Sequence, residues 1–267
     1  MADFTKSFDD LQEGLAPALE IVALLQQGLS GAGRPKGATR HVHLAVIVAA
    51  IGAWQTFVEA LAEDVADVLR LTPEQKAWFS LSDPRRSKVQ TPNSGNVRSL
   101  LFSLTGSDLV GDWQLSIVTS QVELGTGKSP WRSYGRRYIG TDAAIVLDEI
   151  VQIRHGYAHG DIASIGKSKT GNPKTPPAGV AVIGKNGKWN VQSHHAANAI
   201  ATALQLAVHS EASVRKALVA RGVAIEPPKF RKAMERQWNS VLARTPAAAE
   251  ICSAWRVRKG VLTPPPP

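Results

Sequence analysis

Thr141–Asp161 reads T-D-A-A-I-V-L-D-E-I-V-Q-I-R-H-G-Y-A-H-G-D. Its apolar residues return every three or four positions, the period of an α-helix with one buried face. At about 100° per residue, Val146, Leu147, Ile150, Val151, Ile153, Tyr157 and Ala158 share one broad arc. Asp148, Gln152, His155 and His159 share the opposite arc. Arg154 falls inside the apolar arc, where a charge is almost never fully buried unless paired. Thr141 or Asp142 is expected to cap the start of this helix, and Gly160 to end it.

The same period runs through most of the chain. Phe4, Phe8, Leu11, Leu15, Ala18, Val22, Leu25 and Leu29 form one stripe, with Pro17 as a point where it kinks or splits. Leu44, Ile47, Val48, Ile51, Trp54, Val58, Leu61, Val65 and Leu69 form a second, on a helix over about 40–69. Thr72-Pro73-Glu74-Gln75 is a capping box with proline at the first helical position. Asn96–Thr105 reads as a short helix ended by Gly106, and His194–Arg221 as a long one. Asp108–Gly127 has no decisive period, and Pro130–Tyr138 reads as a loop. Asp161–Gln192 is rich in Lys, Gly and Pro; Asn186-Gly187 between two β-prone runs predicts a hairpin. Two basic helices are expected at 229–243 and 247–258, before four terminal prolines. The expected fold is all-α: a helical bundle over 1–225 carrying a small β-hairpin insertion at about 161–192, then a basic helical tail over 226–267.

Net charge is +9 and the pI about 9.8, which favours a polyanionic partner. The excess is local: Lys128, Arg132, Arg136 and Arg137 fall within ten residues that hold no acid. The single cysteine, Cys252, excludes an internal disulfide and suits a reducing compartment. The first ten residues are acidic and polar, unlike a signal peptide. The longest apolar run, Leu44–Trp54, is too short to span a bilayer, so a soluble cytoplasmic protein is expected. No G-x-S-x-G, phosphate-binding glycine loop or redox signature is present, which argues against those enzyme classes. No cofactor is expected.

What remains is a cation and proton carriers where a helix stops. An arginine suits an anion that gains charge during reaction, and a histidine moves protons near neutrality. His155 lies four residues before His159 on the same face. Glu59 lies beside Gln55 at the edge of the second stripe, placed to pair with Arg154 or to orient a histidine. In P-W-R-S-Y-G-R-R-Y (Pro130–Tyr138), Arg132, Arg136 and Arg137 suit phosphates, while Trp131 and Tyr134 suit unpaired bases. The residues alone leave other readings open: a buried ion pair at Arg154, or a metal site on His155 and His159 with Asp148 two turns back.

Arg154, four residues, then His159, within I-R-H-G-Y-A-H-G, resembles the R-x4-6-H signature of the HEPN superfamily, in the R-x-x-x-A-H-G form of RiboL-PSP-type domains. W-Q-T-F-V-E-A-L-A-E-D-V (Trp54–Val65) resembles that family's second helix. T-P-N-S-G-N-V-R-S-L-L-F-S-L-T-G (Thr91–Gly106) resembles its Asn-led segment before a short helix. The resemblance covers roughly residues 40–220. It does not reach the tail, and the insertion after Asp161 departs from the family's compact pattern. It implies a HEPN-like bundle, a homodimer with one composite cleft, and metal-independent cleavage of RNA, with toxin–antitoxin or antiviral roles and an antitoxin or other regulatory protein as partner. On this resemblance Arg154 binds the phosphate, His159 transfers protons, and His155 and Glu59 assist. An unbroken helix points Arg154 and His159 about 140° apart. The site therefore needs either unwinding at Gly156 and Gly160 or a second subunit.

Overall fold

The computed structural model describes residues 2–28, 39–79, 91–123, 131–161, 164–168, 170–185, 187–228, 256–258 and 261–263. Its longest helix, α2 (Thr39–Val68), is apolar on nearly every side, so it has to be covered nearly all round. By length and composition α2 matches a membrane-crossing helix. Here Ile47, Ile51, Trp54, Phe57, Leu61 and Val65 are buried in protein. The cover comes from α1 (Thr5–Gly28), α4 (Ser94–Thr105), α5 (Thr141–Ala158) and α6 (Ser193–Ala220). The fold is mainly α-helical.

Small and aromatic residues set how closely these helices meet. A Cβ on Gly14 of α1 would stand 2.9 Å from the Ala53 Cβ of α2, so only glycine allows this approach. Phe8 meets Phe57 edge-on at 5.1 Å, and Trp54 meets Trp113 edge-on at 6.2 Å. Both buried indoles donate: Trp54 Nε1 to the Pro92 carbonyl and Trp113 Nε1 to Ser210 Oγ, each at 3.0 Å. Pro17 lies inside α1, which continues as one helix through it. The capping box at Thr72 forms as expected and starts α3 (Pro73–Trp78). β1 (Ala2–Asp3) pairs in parallel with Ile225–Glu226, the short strand that follows α6.

Three expectations are corrected. Neither Thr141 nor Asp142 caps α5: Gly140 precedes it with φ 56° and ψ −121°, and no side chain caps the end. Gly140 is reached directly from a strand, and its N–H donates to the Trp113 carbonyl, so the chain turns into the helix in one residue that must be glycine. The second correction is the ribbon. β2 (Gln114–Glu123) and β3 (Trp131–Ile139) pair antiparallel where a loop was expected at 130–138. The third is the end of the tail. Arg256–Arg258 pairs antiparallel with Val261–Thr263 rather than finishing a helix. Val257, Val261 and Thr263 are β-branched and favour that state. Residues 229–255, including Cys252 and most of the two expected tail helices, lie outside the described residues, as do the four prolines.

One edge of β2 is closed by side chains rather than by a strand. Gln205 of α6 accepts from the Ser116 N–H at 2.7 Å and donates to the Ser116 carbonyl at 3.0 Å. Asn198 accepts from the Val118 N–H at 3.0 Å and donates to the Val118 and Gly179 carbonyls at 2.7 Å each. An amide carries both a donor and an acceptor, so it replaces a peptide unit where a strand edge meets a helix.

The insertion forms its hairpin, with Val182–Ile183 paired to Trp189–Asn190. It docks on α5. Lys174 pairs with the buried Glu149, and Gln152 Nε2 donates to the Lys167 carbonyl at 2.8 Å. A Cβ on Gly156 would lie 2.5 Å from Ile165 Cγ1, and one on Gly166 would strike the Trp189 ring at 2.3 Å.

Two outcomes follow for stability. Asn198→Leu leaves the Val118 and Gly179 groups without partners and is expected to cost about 2–4 kcal/mol in urea unfolding, with an unchanged slope against urea. The second concerns pH. Burial depresses the imidazoles of His194 and His209 to about 4 and of His195 to about 3. A depressed imidazole contributes stability that is complete above its unfolded value of about 6.5 and is lost as pH falls toward the folded value. Stability is therefore expected to drop steeply from pH 6.5 to 5, and His195→Asn to lower that slope by about 1.4 kcal/mol per pH unit.

Candidate active site

α5 stays regular to its end. The His159 N–H donates to the His155 carbonyl at 3.1 Å, and Gly160 takes φ 70° beyond it. The helix thus stops at His159, as the sequence implies, but it does not unwind at Gly156. That glycine makes room for Ile165 instead. The divergence of Arg154 and His159 therefore stands, and two separate groups form on different faces of α5.

The first group is Arg154, Gln55 and Glu59. Arg154 is half-buried, and its Nη2 lies 3.5 Å from Gln55 Oε1. Gln55 Nε2 donates to Glu59 Oε1 at 3.1 Å. The buried Arg154 Nε has no acceptor, and Arg154 forms no ion pair with any acid among the described residues. Glu59 thus reaches the guanidinium only through an amide. Among the described residues the arrangement is not the buried ion pair that the sequence left open. It is a fixed cation held by a neutral partner, which leaves its charge available to an anion.

The second group is His155 and His159. Both are exposed, with ring centres 4.4 Å apart and planes tilted by 48°. Tyr157 is on the core side, 6.3 Å from the His41 ring centre. Asp148, the third ligand of the metal reading, is committed elsewhere: its carboxylate accepts from Ser94 N at 2.7 Å and Ser94 Oγ at 2.8 Å. Among the described residues no group of three or more His, Cys, Asp or Glu side chains stands ready to hold a metal ion.

The described arginines of the basic run lie near the start of α5 and not at its motif end: Arg136 and Arg137 pair with Ile117 and Ser116, next to Gly140. Gly140 joins β3 directly to the start of α5. From that junction β2 runs antiparallel to α6, since Ser116 meets Gln205 and Val118 meets Asn198. α6 runs alongside α2 in the same sense, with Trp54 and Ser210 both on Trp113 and His43 acting on His194. α5 opposes α2, with Arg154 at Gln55 and Tyr157 near His41. β2 and α5 therefore leave one junction in the same direction. On β3, Arg136, Arg137 and Tyr134 are exposed. Arg136 lies 5.0 Å over the Tyr138 ring, and Arg137 bonds Gln114 Oε1. Tyr138 is buried and donates to the Ala178 carbonyl at 2.6 Å. Trp131 and Arg132 occupy the far end of β3, paired with Glu123 and Val122. Lys128 lies outside the described residues.

Gln55 carries the contact to Arg154, and its place four residues before Glu59 on one helix face was the available signal. The ties of Glu149 and Gln152 to the insertion had no signal at all, because their partners come from an irregular segment. Comparison with protein-family models, characterised proteins and solved structures found no match to this chain.

Because Arg154 has no carboxylate partner among the described residues, Arg154→Met is expected to destabilise the fold by less than about 1 kcal/mol, where breaking a buried ion pair costs about 3–5. Urea unfolding of the purified variant measures this.

Proposed function

We propose that this protein is a HEPN-type, metal-independent endoribonuclease that works as a homodimer. The observation that carries the reading is the half-buried guanidinium of Arg154 at the end of the motif helix, held by Gln55 and with no carboxylate partner among the described residues. A fixed cation of that kind suits a phosphate whose charge grows as phosphorus becomes five-coordinate. His159 takes the proton of the ribose 2′-OH as its oxygen bonds to phosphorus. The P–O5′ bond breaks, and the leaving oxygen takes up a proton. The products carry 2′,3′-cyclic phosphate and 5′-OH ends, and no water is consumed. His155 shares the proton work, and Glu59 fixes Gln55 against the arginine. The exposed Arg136, Arg137 and Tyr134, with Lys128, Arg132 and Trp131, hold the strand by phosphate contacts and stacking. RNA of a reducing, cytoplasmic compartment is the substrate class, in toxin–antitoxin or antiviral defence with an antitoxin or other regulatory partner.

The divergence of Arg154 and His159 on α5 is why the reading includes a dimer: the arginine of one copy serves the histidine of the other. The same divergence favours a second reading, a non-catalytic HEPN-like module that binds RNA or dimerises. The two readings part in one experiment. On the nuclease reading the protein cleaves RNA in EDTA, and Arg154→Ala and His159→Ala each lower the rate by about 10²-fold or more. Mixing the two inactive variants restores about a quarter of wild-type activity, because half the dimers are mixed and each has one intact site. RNA binding without EDTA-resistant cleavage selects the second reading, and undiminished cleavage by both variants removes the first.

A further inference from the structure

We propose that His155 and His159 form a two-imidazole chelate for a divalent transition ion of the copper or nickel type. The pair is one helical turn apart on the solvent face of α5, both rings are exposed, and neither has a hydrogen-bond partner among the described residues. Each ring therefore offers a nitrogen lone pair without breaking another contact. Their spacing fits the geometry. Two imidazoles bound at adjacent corners of a square-planar or octahedral ion, at about 2.0–2.1 Å per bond, place their ring centres roughly 4.5 Å apart. The observed separation is 4.4 Å. Imidazole sites bind copper(II) more tightly than nickel or zinc, so copper is the ion expected to bind most tightly.

The chain adds no third ligand among the described residues. Asp148, the carboxylate two turns below on the same face, is held by Ser94. Water completes the coordination, so the ion exchanges and acts as a regulator rather than a structural part. Its effect on activity rests on the nuclease reading: a ligated His159 has no lone pair with which to take the 2′-OH proton. The binding itself does not rest on that reading.

The test uses the full chain with Cys252→Ser, which removes the thiol, titrated with copper(II) chloride in a non-coordinating buffer at pH 7.5. Electron paramagnetic resonance is expected to give one ion per chain with hyperfine coupling to two imidazole nitrogens. His155→Ala and His159→Ala are each expected to weaken binding by at least about tenfold, whereas His41→Ala leaves it unchanged. Binding of the same stoichiometry and affinity by the doubly substituted chain overturns the proposal, as does coupling to one nitrogen only. With wild-type histidines, copper is expected to stop RNA cleavage and excess EDTA to restore it. Two-nitrogen binding by a protein that never cleaves RNA supports the chelate and removes only the nuclease reading.

Discussion

Nearly everything in this fold answers to α2. A 30-residue helix with apolar residues around most of its circumference is soluble only when other helices surround it. α1 meets it at backbone distance through Gly14 and Ala53, and α5 and α6 take further sides. The polar interruption that matters is the edge holding Gln55 and Glu59. Arg154 enters the apolar arc of α5 because α5 faces that edge. The charge that looks misplaced on a helical wheel is thus explained by a polar edge of α2, and the contact costs Arg154 none of its net charge.

This placement divides the labour at the motif. Arg154 is held by the interior of the bundle, and the two histidines stand in solvent on another face of the same helix. The cation is fixed in direction while the imidazoles are free to meet whatever arrives.

The helices were legible because each has one face to bury, and a single face leaves a period in the sequence. The ribbon was not legible. Its alternation breaks at the register shift between Val118 and Ser120, and its burial depends on α6, some 80 residues further along. The basic run read as a loop because Arg136 and Arg137 are both exposed on a strand that buries Tyr138. At the site, the end of the helix and the face shared by His155 and His159 followed from spacing. The partner of Arg154 did not, since Gln55 lies 99 positions upstream. Gly156 was legible as special but not for its reason. It gives space to Ile165 rather than freedom to the backbone.

The amide clasp of Asn198 and Gln205 has a mechanical consequence. It fixes the register of a strand against a helix, so sliding β2 along α6 by one residue would lose four hydrogen bonds at once. The basic ribbon and α6 therefore travel as one lever. The motif helix joins that lever through a single backbone pivot, Gly140, with the Tyr138 hydroxyl braced on Ala178 and Lys174 strutted against Glu149. A load placed on the arginines of the ribbon is delivered at the first turn of α5, along the axis that ends at His159.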